Sequence, residues 1–307
     1  MVGMKRSILS LLFFYFSIVQ LFAQQNSLFS QYMFNGLAVN PAYAGSHDVL
    51  SLTASGRKQW IGVEGAPSTM TFSAHSPLNN EKISIGLLFY GDKVGVFSQQ
   101  SLNTIYAYKI KVSSGAHLSF GLQAGINNYV ARYTQLTSKD PNDPALSKDD
   151  VSGFAPSFGS GIYYYTEKFY AGISSPFLIN NLIGKQVYNN FKIRSTYFFT
   201  TGKVFIISED IKLKPSLLIK YVYGAPLQAD LNANVLLKNV LWVGASLRNF
   251  SSANFLTQFN ISAQLKMGYS YDLNLTKSAD IYSGSHEVMI SYLFSFNKSK
   301  VVTPRYF

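Results

Sequence analysis

The chain is 307 residues long, carries 26 basic against 15 acidic side chains for a formal net charge of +11, and contains no cysteine. That excludes disulfides, a thiolate nucleophile and a cysteine metal site, and because the basic residues are dispersed instead of forming a run, no nucleic acid partner is expected. With 21 Tyr, 24 Phe and only 13% charged residues, the composition is too apolar for a soluble surface and too polar for a helical membrane protein, a mixture that a transmembrane β-barrel has by construction.

Taken in chain order, residues 1–23 read as a secretory signal peptide: Lys5 and Arg6 precede an uncharged apolar run from Ile8 to Phe22, and Ala23 stands before Gln24-Gln25-Asn26. Leu21 takes the place of a small residue three before the cut near Ala23, so an uncleaved anchor is the alternative. Loss of Lys5 and Arg6 would reduce the formal +11 to +9. No later stretch approaches about 18 uncharged apolar residues, so no transmembrane helix is expected in the mature chain.

Residues 24–46 are expected to form an N-terminal periplasmic or plug segment. Its part from Leu28 to Ser46, LFSQYMFNGLAVNPAYAGS, has no clean alternation, and Gly36, Asn40-Pro41 and Gly45 break any helix or strand. The aromatics Tyr32, Phe34 and Tyr43 must be buried either in the mouth of a lumen or against another protein. Gln31, Tyr32, Phe34, Asn35, Asn40, Pro41 and Tyr43 are therefore candidates for a partner or plug element, the alternative being a plug with no partner role.

From 47 to 297 the pattern is period two, which turns successive side chains to opposite faces of a strand. Strands are expected at about 47–60, 67–78, 82–91, 99–112, 116–131, 154–165, 169–175, 191–206, 211–223, 227–237, 240–249, 253–261, 265–273 and 285–296. In the last, His286, Val288, Ile290, Tyr292, Phe294 and Phe296 share one face, against Ser285, Glu287, Met289, Ser291, Leu293 and Ser295. Twelve residues suffice for a tilted membrane strand, which needs about 9–11. A half-buried strand of a soluble sandwich gives the same alternation, so the connections decide. Tight turns fall near Asn79-Asn80, Ser113 to Gly115, Thr166 to Lys168, Ser208 to Asp210, Lys238-Asn239 and Ser262 to Gln264. Longer links fall at 61–66, 92–98, 132–153, 176–190, 250–252 and 274–284, with a short one at Gly224 to Pro226. Turns on one side and loops on the other are the asymmetry of outer-membrane barrels. The expected fold is all-β, an up-and-down antiparallel transmembrane barrel of about 14 strands. An even count puts both termini in the periplasm, including a tail at 298–307. Reading 253–273 as one strand would give thirteen and place the C-terminus outside.

If apolar faces meet lipid, Arg57, Lys109, Lys111, Lys212, Lys214, Lys220, Arg248 and Lys266 line the lumen together with Asp230, Asp272 and Glu287. A charge at the lipid-facing midplane would cost about 2–4 kcal/mol. An internal ion-pair network is favoured over an anion-selective pore, since both signs are present. The histidines His47, His75, His117 and His286 are not spaced as metal ligands, and His286 and Glu287 face opposite sides of one strand, so no catalytic relay forms there. Asp140, Asn142, Asp143, Asp149 and Asp150 lack the glycine and terminal glutamate of a calcium loop. No enzyme activity, cofactor or metal is expected.

Several motifs in order carry a resemblance: Gln31-Tyr-Met-Phe-Asn35 with Asn40-Pro-Ala-Tyr-Ala-Gly-Ser46, Arg57-Lys-Gln-Trp60 with Gly65-Ala-Pro67, Tyr106-Ala-Tyr-Lys-Ile110, Leu118-Ser-Phe-Gly-Leu-Gln123, Lys214-Pro-Ser216, Gly268-Tyr-Ser-Tyr-Asp272, Gly284-Ser-His-Glu287 and Pro304-Arg-Tyr-Phe307. Together they resemble the PorP/SprF family of the type IX secretion system and cover nearly all of the mature chain. The resemblance implies an outer-membrane barrel in Bacteroidota-type Gram-negative bacteria, without catalytic residues. It would serve secretion, gliding or surface attachment of a large secreted adhesin, with outer-membrane lipid and with periplasmic and lipoprotein components of the machinery as partners. The alternative function is a porin-like or fatty-acid-transporter-like channel for small solutes.

Overall fold

The computed structural model describes residues 29–78, 81–136, 149–179, 195–276, 283–294 and 306. The expected signal peptide, the turn at Asn79-Asn80, the centres of the two longest links and nearly all of the tail lie outside them, as do Ser295 and Phe296.

Among the described residues the strand segments are β1 (Leu50–Lys58), β2 (Ser68–Pro77), β3 (Ile83–Val94), β4 (Phe97–Ser113), β5 (Ala116–Ala131), β6 (Val151–Tyr165), β7 (Phe169–Ile179), β8 (Thr196–Lys203), β9 (Phe205–Ile206), β10 (Ile211–Val222), β11 (Gln228–Leu237), β12 (Leu241–Arg248), β13 (Ser252–Asn260), β14 (Leu265–Asn274) and β15 (Ser285–Phe294). The two residues of β9 continue β8 past Val204 and pair with the same neighbour, so the segments make fourteen barrel strands. Each pairs antiparallel with the next, and β1 pairs with β15 from Leu50↔Phe294 to Lys58↔His286, closing the ring. Closure leaves no edge to be capped.

The alternation sorts the side chains as a membrane barrel requires. Leu122, Ile162, Ile173, Leu231, Phe255 and Val288 point outward and are exposed, while the residues between them on the same strands, Gln123, Tyr163, Ser174, Asn232, Asn254 and Glu287, are buried inside. Apolar outside and polar inside is the reverse of a soluble core, and it is stable only with lipid against the outer face.

Four segments differ from the sequence pattern. Residues 92–98, expected as a longer link, are paired strand: β3 runs to Val94 and β4 begins at Phe97. Gly95, at φ 57, makes the intervening turn. Pairing continues through this hairpin, and on to β2 and β5 beside it, although the alternation has lapsed, because backbone hydrogen bonds form whatever the side chains face. The link at 250–252 is likewise a two-residue turn, with Asn249 and Phe250 at φ 45 and 55 and the Ser251 amide donating to the Arg248 carbonyl at 2.9 Å. β7 extends beyond the expected 175, and its register shifts between Ser174 and Phe177. Pro176 offers no ladder donor and its carbonyl turns inward, accepting from Gln123 at 3.3 Å. Val204 interrupts the strand expected as unbroken over 191–206, of which 191–194 lie outside the described residues. By contrast 253–273 is two strands, with the Ser262 amide donating to the Leu265 carbonyl at 3.2 Å across the turn.

The barrel therefore has a turn end, carrying the connections near 114, 167, 208, 238 and 262, and a loop end, carrying the connection near 63, the tight turns near 95 and 250, and the links whose centres lie outside the described residues. Strands β4, β5 and β6, of 17, 16 and 15 residues, exceed the span of the hydrocarbon and make one side of the wall taller.

Candidate functional site

The interior of the barrel is occupied by the chain's own residues 29–46. Glycine, asparagine and proline spacing prevents a continuous helix there, and the segment folds as three single 3-10 turns, Tyr32–Phe34, Gly36–Ala38 and Pro41–Tyr43. Asn40 organises the third: its side-chain oxygen accepts from the Ala42 amide at 2.9 Å, and its amide donates to the Ile162 carbonyl at 3.1 Å. Pro41 follows it in the first helical position, where a missing N–H costs nothing. The sequence pattern had suggested a periplasmic or plug segment with its aromatics in the mouth of the lumen or against another protein. The segment instead crosses the lumen from the loop end, at Ser30, to the turn end, at Asp48.

At the loop end the attachment is ionic. Glu287 accepts from the backbone amides of Ser30 and Gln31 at 2.8 and 3.1 Å, and its own carbonyl accepts from the Gln31 side chain at 3.2 Å. The Ser30 hydroxyl donates to Asp272 at 2.8 Å. Arg57 ties the carboxylates together, pairing with Glu287 at 3.1 Å and with Asp272 in close contact, and it also donates to Ser30. Asn254 donates to Asp272. Beside them Arg248 pairs with Asp230 at 2.9 Å. Two arginines are thus shared among three buried carboxylates, which would be costly to bury unpaired.

In the middle, Asn232 donates to the Tyr32 hydroxyl at 2.5 Å, and the Asn234 amide meets the Met33 sulfur at 3.2 Å. Burial, and after it the Asp230 carboxylate, push the Tyr32 phenol well above its ordinary range, so it remains a neutral hydroxyl. The Asn35 side-chain oxygen accepts from Ser73 at 3.1 Å. Glycines in the wall make room for the segment. A Cβ at Gly121 would collide with the Pro41–Ala42 backbone, and one at Gly172 would come within 2.8 Å of the Asn40 amide. These glycines sit in strands, where their usual meaning is a close approach by another backbone.

At the turn end aromatic packing takes over. The Tyr43 ring stands edge-on to His47, His75 and Tyr163, each at 5.6 Å, and the Gly45 amide donates to His75 at 3.0 Å. Lys109 pairs with Asp48 at 2.7 Å. Lys214, fully buried, holds its ammonium 4.5 Å from the Phe34 ring centre and 4.7 Å from that of Trp242, and donates to the Tyr306 carbonyl at 2.9 Å. Lys212 donates to Asn239 and lies over the Tyr306 ring. Between the segment and strands β6 to β8 a small cavity remains, lined by Tyr32, Val39, Tyr43, Tyr163, Tyr170 and Thr200.

The structure places Arg57, Lys109, Lys212, Lys214, Lys220, Asp230, Asp272 and Glu287 buried in the interior, with Arg248 and Lys266 half-buried. Lys111 is exposed. It shares the inward parity of β4, but the register breaks between Lys111 and Ser113, where the strand has run past the wall. Gln31, Tyr32, Asn35, Asn40, Pro41 and Tyr43 are buried and Phe34 is half-buried. His286 faces outward to the Tyr269 hydroxyl at 2.6 Å while Glu287 faces in. Asp150 accepts from Thr134, and Asp140, Asn142 and Asp143 lie outside the described residues. Among the described residues no group of His, Cys, Asp and Glu could hold a metal ion. Sequence reasoning missed the roles of Ser30, Trp242 and the strand glycines. Of these only the glycines left a signal, as gaps in otherwise large-residue strands.

Comparison with known proteins gives one family. The model described as "Type IX secretion system membrane protein PorP/SprF" matches residues 21–292. No curated protein matches the chain. Among solved structures, the CymD monoaromatic hydrocarbon channel aligns with TM-score 0.52 at 12% identity, covering 86% of this chain and 93% of the channel. The outer membrane protein Omp33 of Acinetobacter baumannii gives 0.48 at 9% identity, covering 80% of this chain and 98% of that one. The toluene transporter TodX of P. putida gives 0.47 at 8%, covering 86% and 95%. At these identities the likeness is one of fold alone.

Proposed function

This chain belongs to the PorP/SprF family of type IX secretion system membrane proteins, and from that premise we propose that it is a non-enzymatic outer-membrane component that supports secretion or surface attachment of an adhesin-type cargo through protein–protein contacts. Its partners on this reading are outer-membrane lipid, the periplasmic and lipoprotein parts of the secretion or gliding machinery, and a large secreted adhesin. Residues 24–46 act as the plug and partner element, residues 47–297 as the barrel, and both the tail at 298–307 and the turn end face the periplasm. The signal peptide is removed near Ala23.

The observation that carries this reading is the occupied lumen. A segment bonded to the wall along its length from Ser30 to Asp48 takes up lumen that a solute would need, which favours contacts with proteins over a porin-like or fatty-acid-transporter-like channel. Deleting residues 28–44 tests it. A folded, heat-modifiable barrel should persist in the membrane while display of the cognate adhesin is abolished. Normal display would remove the segment's role in the function.

A further inference from the structure

At the loop end the outer face of the barrel carries charge. The register aligns five outward residues on neighbouring strands into one row, Tyr271 on β14, His286 on β15, Lys58 on β1, Ser68 on β2 and Lys93 on β3. The two lysines are exposed and the other three half-buried. Toward the turn end the outward positions of β15, β1 and β2 are then uncharged for three rows, from Val288, Gly56 and Met70 to Tyr292, Leu52 and Ala74. The basic row therefore stands on the border of the lipid-facing wall. A lysine costs little there, because its stem lies along apolar surface while its ammonium reaches the headgroups.

The neighbours of both lysines show which way they point. Arg57, beside Lys58, is turned into the lumen to Glu287 and Asp272. Asp92, beside Lys93, is turned inward to accept from the buried Thr69 hydroxyl at 2.5 Å. Adjacent strands stand about 4.8 Å apart, so the lysines rise about 10 Å from each other, with Ser68 between them. Ser68 is too short to fill that gap, and the two stems are long enough to meet one anion over it. His286 flanks the gap with its ring held in place, Nδ1 lying 2.6 Å from the Tyr269 hydroxyl and the ring centre 5.1 Å from that of Tyr271.

We propose that this row binds the phosphate of an outer-leaflet glycolipid. Lys58 and Lys93 bracket the phosphate over Ser68, His286 donates to it from Nε2, and the acyl chains lie down the apolar rows beneath. The occupant is a lipid because the basic row continues the lipid-facing wall, so one molecule meets both surfaces, and paired ammonium groups at that level attract an anionic headgroup. The inference goes beyond the proposed function and shares with it only the orientation that puts the loop end at the outer leaflet. Both lysines point away from the inserted segment, so failure here leaves the adhesin-display result standing.

The test uses the full chain folded in neutral detergent, titrated with fluorescently labelled lipid A in its phosphorylated and its enzymatically dephosphorylated form. The phosphorylated form should bind at least about tenfold more tightly, with the advantage shrinking as salt is added. Lys58→Ser combined with Lys93→Ser should abolish that advantage while heat-modifiability shows the barrel intact, and Lys58→Arg combined with Lys93→Arg should preserve it. Lys168→Ser combined with Lys203→Ser, which removes the same charge from exposed positions elsewhere, should leave it unchanged. Equal binding of the two forms, or a preference that survives the loss of Lys58 and Lys93, would overturn the proposal. So would displacement of the lipid by equal concentrations of phosphatidylglycerol, which would mark a site for any anionic lipid, or of inorganic phosphate, which would mark a site for a free ion.

Discussion

Glu287 fixes the start of the inserted segment, since one carboxylate serves two backbone amides and Arg57. Glu287→Ala would leave those two amides without their acceptor and Arg57 with Asp272 as its one carboxylate among the described residues, and breaking a buried charged network of this kind costs roughly 3–5 kcal/mol. Denaturant midpoints measured in lipid should fall accordingly, and Glu287→Gln, which keeps an acceptor oxygen, should lose less. Equal losses would mean that packing and not the hydrogen bonds hold Ser30. On the outer face, Leu231 lies mid-strand and half-exposed, paired with Leu217. Leu231→Arg should cost about 2–4 kcal/mol, whereas inward changes such as Lys212→Ser should not impair assembly. A barrel that accepts both changes equally would contradict the assigned register.

The inserted segment is the element that sets the state of the lumen. Gly121 is the wall position where its backbone comes closest, so Gly121→Val should expel residues 41–42 while leaving the ring of strands closed. Limited proteolysis between Gln31 and Ser46 reads this out: the parent chain should resist cleavage and the variant should be cut. Conductance gives a second view of the same element. Planar bilayers holding the intact chain should show no steady current, and those holding the chain without residues 29–46 should. A steady current from the intact chain would favour the channel alternative. The strands themselves were largely legible from period two, and the segment was legible only as a break in that period. Nothing local told that it folds as three 3-10 turns or that it runs the full length of the lumen.

For the whole molecule, the asymmetry of turns and loops predicts orientation. Ser114→Cys lies in the turn between β4 and β5, and Ser283→Cys in the connection before β15. On intact cells an impermeant thiol reagent should label the second and spare the first, a clean reading because the chain has no cysteine of its own. The reverse pattern would turn the barrel over.

The sequence by itself determined the class of the molecule, because alternation along one strand records two solvents on its two faces and needs no knowledge of any other strand. It also assigned most interior charges, since a charge on the lipid side is too costly to keep. Only the tertiary structure decided which of them meet. Ser30 and Glu287 stand 257 residues apart and become neighbours because β1 closes on β15, a consequence of the ring and not of either segment. It also decided where the pattern misled: the hairpin at 92–98 stays paired to β2 and β5 although the alternation has lapsed, and β4 loses its register beside Lys111, because backbone hydrogen bonds hold a ladder together whatever its side chains face.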